Sequence, residues 1–146
     1  MTDNTNKATR IEKVLESVLE SADEGEHLVL DVAREMPFPE EELHKIGMAV
    51  RESIVNAVVH GNRYNARKKV RLSVANQKEH LTVTVADEGE GFDLSALPDP
   101  LAETNLLQQS GRGIFLIRHF VDEFEVRRLA PAGTEVKLVK YVCEQQ

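Results

Sequence analysis

The chain has 146 residues, with 18 Lys+Arg against 25 Asp+Glu and a formal net charge of −7. An apolar share of 41% beside a charged share of 29% fits an ordinary folded protein and excludes a disordered one. No stretch approaches the roughly 20 apolar residues of a membrane helix, and the acidic balance argues against a nucleic-acid binder.

The length suits one domain, expected over 9–146 behind a loose polar leader at 1–8. The leader lacks the apolar stretch of a secretory signal, so the chain is expected to be cytoplasmic. One cysteine, Cys143, excludes an internal disulfide framework and a cysteine-based zinc site.

Ile11, Val14, Leu15, Val18 and Leu19 recur at helical spacing and predict a short amphipathic helix. His27–Val32 reads as a strand, interrupted by Met36, Pro37, Phe38 and Pro39. Pro39 followed by Glu40, Glu41 and Glu42 is a helix start: proline fixes φ, and carboxylates favour the positive end of the dipole. Leu43, Ile46, Val50, Ile54, Ala57 and Val58 then form one apolar stripe of a long helix that stops at Gly61 and Asn62.

Val70, Leu72 and Val74, then Leu81, Val83 and Val85, alternate with polar residues and predict a hairpin around residues 76–79. Residues 88–113, with Pro98 and Pro100, read as a loop. Ile114, Ile117, Phe120 and Val121 predict a helix, and 123–129 and 134–142 two strands around Pro131 and Gly133. The expected order is α-β-α-β-β-loop-α-β-β. That is an α+β two-layer sandwich, with helices on one face of a mixed, mostly antiparallel sheet.

Four short constellations could carry chemistry. Glu52, Asn56 and His60 are four apart on the long helix, beside its apolar stripe. They form a polar wall for a pocket; taken alone, a solvated helix face carries the same pattern. Asp87, Gly89 and Gly91 follow a strand. A carboxylate there can accept a hydrogen bond from an exocyclic amine such as that of adenine, and glycines let a flat ring approach the backbone. An ordinary polar turn also reads so.

Ser110, Gly111, Arg112 and Gly113 open a helix, where free N–H groups and a guanidinium suit phosphate oxygens; a flexible linker with a cap is the plainer reading. Gly133 and Thr134 start a strand. A Walker lysine motif is absent, and so is a dinucleotide glycine fingerprint after an early strand. The histidines 27, 44, 60, 80 and 119 show no metal spacing. The basic run Arg63, Arg67, Lys68, Lys69 and Arg71 reads as a solvated loop or a contact for an acidic partner.

In this order and on these elements, the four pieces resemble the GHKL (histidine kinase-like) ATP-binding fold. Glu52 to Asn56 resembles its N box, Asp87 to Gly91 its G1 box, Gly111 to Gly113 its G2 box, and Gly133-Thr134 its last glycine-threonine element. Within it, residues 51–61, 110–117 and 120–122 are most similar to bacterial anti-sigma-factor serine kinases.

The resemblance implies ATP as cofactor, with Mg²⁺ on the amide oxygen of Asn56 and Glu52 as the base for a serine hydroxyl. It implies Asp87 on the adenine amino group, Gly89 and Gly91 opening the ring's slot, and Thr134 beneath the ring. Gly111, Arg112 and Gly113 would meet the phosphates, and Val59, His60, Gly61, Phe92, Ser110 and Ile114 would complete the nucleotide contacts. It also implies a sigma factor and an anti-sigma-factor antagonist as partners, a homodimer, and neither nucleic acid nor membrane as a direct partner. Two positions depart from the family pattern. Val55 stands where many members carry a hydroxyl, and Gln108 and Gln109 precede Ser110 without an arginine. A nucleotide-gated binding switch without phosphotransfer is the alternative.

Overall fold

The computed structural model describes residues 9–89 and 113–142. Five strands, β1 (Thr9–Leu15), β2 (Val70–Asn76), β3 (His80–Ala86), β4 (Glu123–Arg128) and β5 (Thr134–Tyr141), form one sheet. Its spatial order is β1-β2-β3-β5-β4, and every neighbouring pair is antiparallel. The helices are α1 (Glu20–Ala33), α2 (Glu40–Asn56), which runs on into a π-helical turn (Ala57–Gly61), and α3 (Gly113–Phe120).

The strand alternation sorts the two faces of the sheet. One row across all five strands reads Ile11, Val74, Val83, Leu138 and Phe124; the next row on the opposite face reads Glu12, Ser73, Thr84, Lys137 and Glu125. A period of two puts apolar rows against the helices and leaves the polar rows to water. The Ser73 and Thr84 hydroxyls meet across the polar face at 2.6 Å. The α+β two-layer expectation therefore holds, with a described sheet that is antiparallel throughout.

The central helix is α2, packed between α1 and α3. Pro39 stands at its start with φ −65° and ψ 159°, and Glu40, Glu41 and Glu42 fill the first turn. Its stripe of Leu43, Ile46, Ala49, Val50 and Ile54 is buried. At the same end, Lys140 of β5 reaches Glu42 at 2.6 Å, tying the helix start to the sheet.

The first two predicted elements are corrected. Residues 9–15 form an edge strand rather than a helix: Val14 is 62% exposed while Leu15 is buried, an alternation rather than a stripe. Val18 and Leu19, assigned to the same stripe, are exposed in the connection to α1. His27–Val32 is helix rather than strand. Besides Ser21, α1 buries Ala22, Gly25, Val29, Val32 and Ala33, a 3.6-residue spacing. That period was hidden because Gly25 counts as apolar only by its fit: a Cβ there would overlap Ile54 Cδ1. The predicted hairpin, the long helix, the helix after residue 113 and the last two strands all stand within a residue or two of their expected bounds.

Ile54 is fully buried where α2 meets α1 and the sheet. Ile54→Ala is expected to cost about 2–5 kcal/mol of stability, read from urea unfolding, because the space between three elements cannot collapse.

Candidate functional site

Strand β3 ends at Ala86, and Asp87 continues its ladder by donating its N–H to Thr134 O at 2.9 Å. The Asp87 side chain is buried in a protein whose other carboxylates lie mostly at the surface. Its Oδ1 accepts two backbone N–H groups, from Gly89 at 2.9 Å and from Thr134 at 3.2 Å. Those bonds fix the carboxylate plane. None of the described residues donates to Oδ2.

Three glycines pack at this corner. A Cβ on Gly61 would overlap Asp87 Oδ2, and one on Gly89 would overlap the carbonyl oxygen of Gly61. A Cβ on Gly133, at φ +116°, would overlap the Asp87 carbonyl oxygen. The backbone can approach this closely only without side chains. Gly61 comes from the end of the long helix, Gly89 from the turn after β3 and Gly133 from the turn before β5. Three separate segments therefore converge on one acid.

The helix reaches this point through its π-helical turn, in which Asn62 N–H bonds Ala57 O at 2.7 Å. Such turns widen a helix and are found disproportionately at functional positions. Glu52 and Asn56 lie one turn apart on α2 and are half-buried; Val59 is half-buried and His60 exposed, both within the π turn. The four-residue register that joins Glu52 to Asn56 is thus broken before His60.

Two buried side-chain polar atoms have no partner among the described residues: Asn56 Nδ2 and Thr134 Oγ1. Buried polar groups are almost always satisfied, so these two orphans mark groups that are completed from outside the described residues. Asn56 also carries an amide oxygen, the kind of donor that a hard cation such as Mg²⁺ takes, and that ion needs few protein ligands when phosphates and water supply the rest. Among the described residues no group of three or more His, Cys, Asp and Glu forms a metal cluster. The residues present therefore fit a cation that arrives with phosphates better than one held by the protein alone.

Burial pushes the Asp87 carboxyl above the 3.8 of an ordinary aspartate; the Gly89 and Thr134 amides and the charge of Lys68 act in the opposite direction. Of the sequence-predicted site residues, Gly61, Asp87, Gly89 and Thr134 come together at one corner. Glu52, Asn56, Val59 and His60 lie on the helix that ends there. Gly113 opens α3 and Ile114 follows it. Gly91, Phe92, Ser110, Gly111 and Arg112 lie outside the described residues. Sequence reasoning gave Asn62 only the part of a helix stop; its buried side chain proves to touch three segments.

Residues 15–140 match the model of the family described as the histidine kinase-like ATPase domain. The chain is 38% identical over 104 residues to the anti-sigma F factor of Bacillus thuringiensis (strain Al Hakam), covering 70% of this chain and 71% of that one. The same figures hold for the anti-sigma F factor of Bacillus mycoides (strain KBAB4). Among solved structures, the RsbU and RsbW domains of Rv1364c from Mycobacterium tuberculosis superpose with a TM-score of 0.64 at 17% identity. That likeness, which concerns the fold, covers 91% of this chain and 32% of the other. No described helix is long and apolar enough to cross a membrane.

The raised Asp87 pKa has a stability consequence. A carboxyl that is harder to ionise in the fold contributes fully below its unfolded pKa and loses that contribution as pH rises through the folded value. Asp87→Asn keeps an oxygen for the two amides and never ionises. Its stability relative to the parent protein is expected to improve as pH is raised from about 3.8 through the folded pKa. Paired urea titrations across that range check the sign.

Proposed function

Because the chain belongs to the histidine kinase-like ATPase domain family, an ATP-binding fold, we propose that it is a Mg·ATP-dependent protein serine kinase and sigma-factor antagonist, acting on an antagonist protein. The observation that carries the nucleotide half is the Asp87 corner. One carboxylate oxygen is pinned by two backbone amides, the other receives no hydrogen bond from the described residues, and glycines clear the approach. Its open oxygen accepts the exocyclic N–H of adenine; the orphaned Thr134 hydroxyl lies at the same corner and completes the ring's polar contacts. The name of the Bacillus relatives, anti-sigma F factor, supports the partner half. A homodimer in the cytoplasm, with a sigma factor and its antagonist as alternating partners, completes the reading.

In this reading Asn56, one turn beyond Glu52 on α2, gives its amide oxygen to Mg²⁺. Such an ion would supply neutralisation of the phosphate charge. By the family resemblance, Gly111, Arg112 and Gly113 would meet the phosphates. Glu52 orients the serine hydroxyl of the substrate and takes its proton. The serine oxygen bonds to the γ-phosphorus, the bond from that phosphorus to the β–γ bridging oxygen breaks, and ADP leaves. Glu52 suits this part: it is half-buried, and no ion pair with a described residue competes for its carboxylate.

Positioning dominates such transfers, and a placed base contributes about 10²–10⁴-fold. Glu52→Ala is therefore expected to keep ATP affinity while losing transfer by that factor. The assay uses γ-labelled ATP with the candidate antagonist and scores acid-stable label on serine. Parental transfer by Glu52→Ala removes the base assignment. ATP-dependent binding of the partner without any label moves the protein to the switch reading, and acid-labile label on histidine moves it to a histidine-directed kinase.

Asp87→Ala is expected to abolish nucleotide binding in calorimetry, since the adenine amine would face a pocket with no acceptor. Affinity in the parent protein should fall on acidification, because protonation removes the acceptor. The fall should begin at a higher pH than an ordinary aspartate would give.

A further inference from the structure

Asn62 is 2% exposed, although it stands at the head of an exposed, basic loop. Its amide spans three segments that are far apart in sequence. Nδ2 donates to Ser17 Oγ at 2.9 Å, in the β1–α1 connection, and to Lys69 O at 3.0 Å, at the far end of the loop. Oδ1 accepts the N–H of Glu88 at 2.8 Å, the residue after Asp87. The Ser17 hydroxyl in turn donates a hydrogen bond to Lys68 O. Main-chain bonds add Asn62 N–H to Ala57 O and Asn65 N–H to Asn62 O.

Asparagine supplies two donors and an acceptor, and here its amide makes three hydrogen bonds in a buried place. A helix stop needs none of these long-range bonds. What they secure is the peptide between Asp87 and Glu88. One side of Asp87 is fixed by Thr134 through the β5 ladder, and the other side only by the turn running through Glu88 to Gly89. If the Glu88 N–H loses its acceptor, that peptide can rotate, and the Gly89 N–H that pins Oδ1 moves with it. The same bonds hold the loop whose Lys68 charge favours the ionised Asp87. The chain accepts backbone strain immediately afterwards: Arg63 and Tyr64 are both left-handed, at φ 53° and 62°. Two consecutive non-glycine residues of this kind persist only where the surroundings over-determine them.

We propose that Asn62 is a positioning residue for base selection: by holding the Glu88 N–H, it aims the free oxygen of Asp87 and so sets the preference for adenine over guanine nucleotides. The inference rests on the adenine reading of the Asp87 corner given above. Its chemical basis is the six-position of the purine. Adenine offers an N–H donor there and guanine a carbonyl oxygen, which a correctly aimed carboxylate repels. A carboxylate free to turn discriminates less.

The test compares ADP and GDP affinities by calorimetry at neutral pH in the parent protein, Asn62→Ala and Asn62→Asp, together with exchange of the Glu88 amide proton. Asn62→Ala removes all three side-chain bonds. It is expected to lower the ADP-over-GDP ratio by about tenfold, the size of one lost hydrogen bond to a buried group, and to expose the Glu88 amide to exchange. Asn62→Asp has the same shape and keeps an acceptor for Glu88, but donates to neither Ser17 nor Lys69. It is expected to retain the parental ratio and the Glu88 protection even if its unfolding midpoint drops. A purely structural Asn62 would lower stability in both variants and leave the ratio untouched.

An unchanged ratio in Asn62→Ala overturns the proposal, and so does a ratio lost equally in Asn62→Asp. If Asn62→Ala does not fold, Asn62→Leu, of similar volume and without an acceptor for Glu88, takes its place: a lowered ratio supports the proposal and an unchanged one overturns it. The adenine reading fails separately: parental ADP binding that Asp87→Asn leaves intact removes that reading, and this inference with it.

Discussion

A buried carboxylate is the constraint around which this structure is arranged. Taking the Asp87 side chain out of water is unfavourable unless hydrogen bonds replace the lost hydration. Two backbone amides do so, one from the turn after β3 and one from the start of β5. Backbone donors cannot swing away as side chains can, so the acid and the two segments are mutually fixed. The glycines follow from this. Gly61, Gly89 and Gly133 look like three independent turn signals in the sequence, but each is required because its Cβ would occupy the space of Asp87 or of the backbone beside it. The carboxylate thereby dictates the residue at 61, the Asp87 carbonyl the one at 133, and the carbonyl of Gly61 the one at 89.

The apolar layer determines where that corner sits. Helix α2 packs its buried stripe against the sheet and against α1 and α3, so its axis is set by the core rather than by the site. At Ala57 the helix passes from core contact to site contact, and there its hydrogen bonding widens to the π form. Ala57 and Val58 remain buried in the core while Gly61 reaches Asp87. The rigid part of the helix carries Glu52 and Asn56, and the widened turn delivers the glycine. This division leaves the Asn56 amide nitrogen buried without a partner among the described residues, a condition that asks for one from outside them.

The sequence made some of this legible and hid the rest for physical reasons. The hairpin of β2 and β3 showed because each strand buries one face, giving strict alternation. Helix α2 showed because its stripe runs for several turns behind a proline and three carboxylates. The exchange of strand and helix before residue 34 had two causes. Val14, Val18 and Leu19 are apolar but exposed, which imitated a helical stripe. Gly25 is buried in the seam between α1 and α2, a glycine doing the part of a core residue, and periodicity does not count it. At the site, Asp87, Gly89 and Thr134 were legible because their order along the chain is itself a pattern. Asn62 was not, since its partners Ser17, Lys69 and Glu88 share no spacing with it.

The misread segment and the missed residue turn out to be parts of one arrangement. Because residues 9–15 form a strand paired to β2 rather than a free helix, the connection that follows is held against the end of β2's incoming loop. Ser17 lies in that connection and is buried there, accepting from Asn62 and donating to Lys68 O. The edge strand is thus tied through two side chains to the peptide beside Asp87. Were 9–15 helical, Ser17 would have no fixed place at the head of the loop, and Asn62 would lose one of its two acceptors. Closure of the sheet's edge and geometry at the acid are therefore a single structural problem. The chain solves it with two small polar side chains in the interior, where an apolar pair of equal size would fill the space but leave the amide of Glu88 without an acceptor.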